Sequence, residues 1–181
     1  MYRLREVERR DLSEINRWRN DPQIIRCLGA PFRYINPDVD DAWFDSYMSH
    51  RSNTVRCAIT DEKDTLLGLV SLTSIDSIHR SAEFHIMIGN RNAQNHGAGT
   101  FALNEILRHA FCNLNLHRVE LTVLESNERA IHLYEKTGFC REGTLKEAVY
   151  KDGAYCDMYL YAILKDDYLK RMQCGDGERN P

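Results

Sequence analysis

Apolar and polar residues change period several times along the chain, and each change marks an element. Arg118-Val-Glu-Leu-Thr-Val-Leu124 alternates, the period-two pattern of a half-buried strand. Glu83-Phe-His-Ile-Met-Ile88 reads as a strand too, with Glu83 and His85 on one face. From Thr100 to Cys112 the apolar positions recur at helical intervals and predict an amphipathic helix. A further helix follows Asn127, with Ser126 as its cap and Gly138 as the left-handed residue that ends it. Upstream, a short strand over Tyr2–Val7 leads to a helix over Asp11–Arg19, capped by Asp11 and stopped by Asn20-Asp21-Pro22. Pro37 opens a second helix to about His50, with Trp43, Phe44 and Tyr47 on one side. Strands are expected over Thr54–Thr60 and Thr65–Ile75, separated by the charged turn Asp61–Asp64. A last hairpin, Glu147–Tyr150 with Tyr155–Leu164, turns at Lys151-Asp-Gly153. The predicted fold class is α/β (α+β): a mixed, mostly antiparallel central sheet of about seven strands flanked by about four helices.

The 181 residues suit one domain, expected over 1–173, followed by a polar, disordered tail over 174–181. A net charge of −3 with interspersed signs points away from nucleic acid. No apolar run approaches the length of a membrane span and no signal segment opens the chain. The six cysteines, Cys27, Cys57, Cys112, Cys140, Cys156 and Cys174, show neither a C-x-x-C pair nor zinc spacing. A reduced, cytoplasmic setting without a metal site is the expectation.

The candidate chemistry lies where a strand meets a helix. Gln94-Asn95-His96-Gly97-Ala98-Gly99-Thr100 separates the Glu83–Ile88 strand from the helix that follows. Glycines at a helix entrance let a ligand approach the backbone, and the free N–H groups of the first turn favour an anion. A pyrophosphate fits such a seat. A Walker loop would need Lys-Ser/Thr after the last glycine, where this chain has Thr100-Phe101. A dinucleotide fingerprint would need a third glycine, and none follows in the helix.

What remains, Gln-x-x-Gly-x-Gly, resembles the acetyl-CoA signature of the GNAT N-acetyltransferase superfamily. Asn127-x-x-Ala130-x-x-x-Tyr134-x-x-x-Gly138-Phe139 resembles the second signature of the same family. Arg3-Leu-Arg5, Asp11-Leu12 and Trp18-Arg-Asn-Asp-Pro22 look like the RimJ/RimL-like branch. Gly68-Leu-Val70 and Ile78-His-Arg-Ser-Ala-Glu-Phe84 are similar to bacterial spermidine/spermine acetyltransferases. The resemblance implies acetyl-CoA as co-substrate, without a metal. It implies phosphate contacts from Asn95 to Thr100, with Gln94 and His96 at the rim. It also implies pantetheine along Ile86, Met87 and Ile88, and Asn127, Ala130 and Tyr134 beside the thioester. Lys136 either reaches the phosphates or lies on a solvated helix face.

Acetyl transfer needs a neutral amine, a donor for the oxyanion and a proton for the departing thiolate. Tyr134 is the candidate acid, because its phenol is a donor on the Asn127 face of the helix; a core tyrosine is the plainer reading. Glu83 is the candidate base, with His85 or a water chain as alternatives, and a structural ion pair would explain Glu83 equally. The acceptor is a primary amine on a peptide N-terminus or a small molecule. Polyamine acetyltransferases carry acids after the first helix and on the third strand. Here those places hold Cys27-Leu-Gly-Ala-Pro-Phe-Arg33 and Ser71 and Ser74, so the polyamine site reads as dismantled. Amino groups of nucleotide-linked sugars, with Arg19 or Arg33 at a phosphate, and polyamines are the alternative acceptors. A non-catalytic acyl-CoA-binding regulatory domain is the alternative of another class. The Tyr155–Tyr161 strand offers a contact for a second copy in a homodimer.

Overall fold

A computed structural model describes residues 1–176. One seven-stranded sheet runs in the order β1 (Arg3–Glu6), β2 (Val55–Thr60), β3 (Leu66–Asp76), β4 (Ser81–Met87), β5 (Arg118–Leu124), β7 (Ala154–Leu164) and β6 (Cys140–Lys151). All neighbours are antiparallel except β4 and β5. The expected mixed, largely antiparallel sheet is thus the one observed.

The two faces carry different helices. Helices α1 (Leu12–Arg19) and α3 (Pro37–Ser49) bury Leu12, Ile15 and Phe44 against Val7 and Ala58 on one side. On the other, α4 (Ala98–Arg108) places Ala102, Leu103, Ile106 and Leu107 on Val70, Leu72, Phe84 and Val119. Their spacing of three and four residues is the stripe a core-facing helix needs. Helix α5 (Glu128–Thr137) adds Tyr134 to that core. Helix α6 (Lys165–Asp176) adds Tyr168, whose ring lies 5.0 Å from that of Phe111.

Among the described residues there are six α-helices, two more than the approximately four expected. The Asp21-Pro22 pair that stops α1 also starts a single turn, α2 (Pro22–Ile25), because Asp21 accepts from the Gln23 amide at 2.9 Å. Helix α6 takes in residues 174–176 of the expected tail, and 177–181 lie outside the described residues. Two caps also differ from expectation. Asp11 does not cap α1: its carboxylate takes two hydrogen bonds from Arg5, at 2.7 and 2.8 Å, and one from the Glu8 amide, which closes a 3-10 turn over Arg9–Asp11. Asn127, not Ser126, caps α5, accepting from the Ala130 amide at 3.2 Å. Helix α4 begins two residues early, at Ala98, and continues as a π-turn over His109–Asn113. Strand β6 starts at Cys140 rather than Glu147. As the exposed edge of the sheet it lacks an alternating pattern, and its register shifts between Leu145 and Val149, where Glu147 has φ 49°.

One topological feature positions everything that follows. Strand β4 pairs with β5 only from Ser81↔Arg118 to Glu83↔Glu120. Beyond Glu83, β4 stays with β3 as far as Met87, while β5 stays with β7 as far as Leu124. The two central strands therefore part, opening a V-shaped gap with Glu83 at its apex.

Candidate active site

The glycine loop lies at the open end of one arm of the gap. After β4, a 3-10 turn over Arg91–Ala93 brings Gln94 back so that its side-chain amide donates to the Ile88 carbonyl at 3.0 Å. Asn95 (φ 64°) and Gly97 (φ 88°) are left-handed, which turns successive amides to the same side. The first helical bond of α4 is from the Phe101 amide to the Gly97 carbonyl, at 2.9 Å. The amides of Asn95 to Thr100 donate to no acceptor among the described residues. They form an anion seat at the positive end of a helix. A Cβ built on Gly99 would lie 3.5 Å from Leu133 and within 4.0 Å of Ile88 and Ile86, so this glycine sits where α4 meets both β4 and α5.

Helix α5 lies beside the loop. Arg129, in its first turn, donates to the Gln94 side chain at 3.1 Å. That contact brings a cation to the glycine loop which sequence reasoning missed. Lys136 is exposed two turns further along, where its backbone carbonyl accepts from Arg171 at 2.6 Å. The structure thus puts Arg129 beside the loop and Lys136 on an exposed face of α5. The only signal for Arg129 in the sequence was its place in the first turn of α5. Asn127 does not face a ligand freely: beyond its cap, its amide donates to the Cys27 carbonyl at 2.9 Å.

Tyr134 stands at the apex. Its ring packs edge-on against Phe84, 6.1 Å away, and is tilted against Phe139 at 5.9 Å. Phe84 is the first β4 residue past the last β4–β5 pair. The tyrosine is only 6% exposed, and its hydroxyl makes no hydrogen bond among the described residues. Burial pushes the phenol pKa well above its usual value of 10, so it stays a donor.

Alternation along β4 sends Glu83 and His85 to the other face of the sheet. The Glu83 carboxylate lies 3.6 Å from His85 Nε2, and the Thr73 hydroxyl is 2.9 Å from the same nitrogen. Burial, reinforced by Arg56 and opposed by Glu83, lowers the imidazole below its ordinary 6.5. Arg56, Ser71 and His85 form a row across β2, β3 and β4. The Arg56 guanidinium is 5.0 Å from the Trp43 ring and 5.8 Å from that of Tyr47, and its Nε is buried without a partner. Arg19 pairs with the buried Asp40, whereas Arg33 is exposed.

Trp18 and residues 26–36, which Asn16 and Asn20 tie to α1 through Ile35, together connect the two arms. Trp18 of α1 covers Gly89 at the end of β4, where a Cβ would fall inside the indole. At the other arm, a Cβ on Gly29 would meet Met158 of β7 at 2.7 Å. The segment from Pro22 to Asn36 carries Arg26 and Arg33 and no carboxylate. Among the described residues no group of three His, Cys, Asp or Glu is placed to hold a metal. No described helix is long and apolar enough to cross a membrane.

The fold and most of the sequence have counterparts among known proteins. The family described as acetyltransferase (GNAT) domain matches residues 2–140. The spermidine N(1)-acetyltransferase of Vibrio cholerae is 35% identical over 94% of this chain and 96% of its own. Its counterpart in Escherichia coli K12 is 31% identical over 92% and 88%. A crystal structure of the Vibrio cholerae spermidine N-acetyltransferase, in complex with CoA and spermine, superposes with a TM-score of 0.87. It is 34% identical and covers 93% of this chain and 98% of that one. With the fold, the glycine loop and the match along most of its length in agreement, the chain belongs to the GNAT acetyltransferase family and is an N-acetyltransferase.

Proposed function

We propose that the enzyme transfers the acetyl group of acetyl-CoA to a primary amine by direct attack in a ternary complex. The observation that carries this reading is the gap between β4 and β5, with unpaired loop amides at one end and an unpartnered phenol at its apex. The pyrophosphate sits on the amides of Asn95 to Thr100, with Gln94 and Arg129 at its edge. The pantetheine runs along the free edge of Ile86 to Ile88 as an added strand would. CoA in the Vibrio cholerae structure supports that cofactor.

The amine enters from the face of Glu83 and His85. Glu83 takes its proton, directly or through water; nitrogen attacks the carbonyl carbon, and the C–S bond of the resulting tetrahedral intermediate breaks. Tyr134 protonates the departing thiolate, whose pKa of roughly 8.5 makes it a reluctant leaving group at neutral pH. Asn127 acts through its hydrogen bonds, holding α5 and the Cys27 carbonyl in place.

The acceptor is an amine on a peptide N-terminus or a small molecule, as in the RimJ/RimL-like branch. Arg26, Arg33 and the unpartnered Arg56 disfavour a polycation, which would lose its charge partners. A polyamine acceptor is the second reading, and the 35% identity to a spermidine acetyltransferase favours it. Thiol release from acetyl-CoA over a panel of polyamines, amino sugars and N-terminal peptides tests both. Turnover confined to spermidine and spermine would establish the second reading. No thiol release with any amine, despite acetyl-CoA binding, would favour a binding-only domain.

A further inference from the structure

Lys151 is the last residue of β6, just before the hairpin turn, and its ammonium leaves the sheet to meet the bridging segment. It donates to the carbonyls of Ile25 at 2.8 Å, Leu28 at 2.5 Å and Ala30 at 2.9 Å. An ammonium has three N–H donors and no acceptor, so these three oxygens satisfy it completely. Ile25 ends the one-turn α2 and its carbonyl also accepts from the Leu28 amide at 3.0 Å, whereas Leu28 and Ala30 lie past the helix, where their carbonyls take no backbone hydrogen bond among the described residues. Three carbonyl dipoles aimed at one point repel each other unless a cation sits there. We infer that Lys151 is a positioning residue that fastens the acceptor-side segment, and that the three carbonyls form a primary-ammonium site filled by the chain's own side chain.

The surrounding ties show what the clasp controls. Asn16 and Asn20 hold the far end of the segment through the Ile35 carbonyl, at 3.0 and 2.8 Å, and Asn127 holds Cys27. Arg26 and Asp152 make a further ion pair at 3.4 Å, but both are exposed and it contributes little. Between Ile25 and Ala30, Lys151 supplies three charge-assisted hydrogen bonds that cross from the hairpin to this segment. The site selects its cation by geometry. Arginine's planar fork cannot point three donors at one centre, and a quaternary ammonium has none. That the segment walls the acceptor entrance rests on the proposed acetyl transfer; the ammonium site itself does not.

The test uses the full chain and hydrogen exchange of the amides of residues 26–35. Lys151→Ala and Lys151→Met are expected to raise exchange there about tenfold or more, since hydrogen bonds to a charged donor are lost. Added n-propylammonium restores slow exchange in Lys151→Ala, whose cradle is vacant. It has little effect on Lys151→Met, where the side chain blocks entry, or on the wild type. Tetramethylammonium restores nothing. In both variants KM for whichever amine the acceptor panel identifies rises, while acetyl-CoA affinity stays unchanged. Exchange that stays slow in both variants, or equal rescue by tetramethylammonium, overturns the inference. A protein inactive towards every amine would sink the proposed activity and leave the exchange result standing, so the two failures are separable. Circular dichroism of Lys151→Met confirms that a folded protein is being measured.

Discussion

Replacing Tyr134 with phenylalanine separates a catalytic phenol from a core one, because the structure predicts different effects for stability and rate. The ring contacts with Phe84 and Phe139 survive the change, and the hydroxyl has no hydrogen bond to lose. Removing a hydroxyl that has no protein partner among the described residues breaks no internal hydrogen bond, so Tyr134→Phe should be close to neutral, within ~1 kcal/mol. Loss of a general acid costs on the order of 10²–10⁴ in rate, roughly 3–5 kcal/mol of transition-state stabilisation. The assay is kcat at saturating acetyl-CoA and amine, with acetyl-CoA affinity by calorimetry and the melting temperature of the same samples. The expected pattern is a kcat lowered about a hundredfold or more, with affinity and melting temperature preserved. Because burial holds the phenol above its usual pKa of 10, the wild-type rate should show no loss from this group as pH rises from 7 to 9. A kcat within about threefold of wild type, less than the ~1.4 kcal/mol of a tenfold change, would falsify the role of Tyr134 as the acid.

Three further outcomes follow from the geometry. Arg129→Ala should weaken acetyl-CoA binding about tenfold, the scale of one charge-assisted contact, while Lys136→Ala leaves it nearly unchanged; the reverse order in calorimetry would return the phosphate role to Lys136. Gly89→Ala forces a methyl into the Trp18 indole and should cost ~1–3 kcal/mol, seen as a lowered melting temperature. An unchanged transition would mean that α1 does not rest on β4 as described. His85 has a folded pKa below its unfolded 6.5, so the unfolded chain takes up its proton first as pH falls. Its stability contribution is complete above pH 6.5 and declines from there towards the lower folded pKa. His85→Gln should flatten that part of the stability profile, and an identical slope in wild type and variant between pH 7.5 and 5.5 would refute the assignment.

The strands and helices were legible because their signals are local. Alternation in Arg118–Leu124 marks β5 to the residue, and Gly138 ends α5 with a φ of 107°. Gly97 turns left-handed at the entrance of α4, a conformation open to a glycine. Local signals mislead when two residues compete for one role. Ser126 and Asn127 both suit a cap, and Asn127 takes it while its amide also reaches Cys27, 100 residues away in sequence. Asp11 caps no helix because Arg5, on the neighbouring strand, offers two charged hydrogen bonds instead.

Sequence by itself determined the order of the seven strands and of helices α1, α3, α4 and α5. It also singled out the glycine loop and the pair Asn127 and Tyr134, since each signal depends on residues within a turn or two of one another. Tertiary structure decided the strand gap, because where β4 leaves β5 depends on pairing between distant segments. It also decided that Arg129 adjoins the glycine loop, that the Arg56 Nε is buried without a partner among the described residues, and that Lys151 donates to three carbonyls of residues 25–30. Those facts rest on which charges meet across the fold after long chain separations. No periodicity records such meetings, because hydrophobic pattern specifies which face is buried and not which side chain lies opposite.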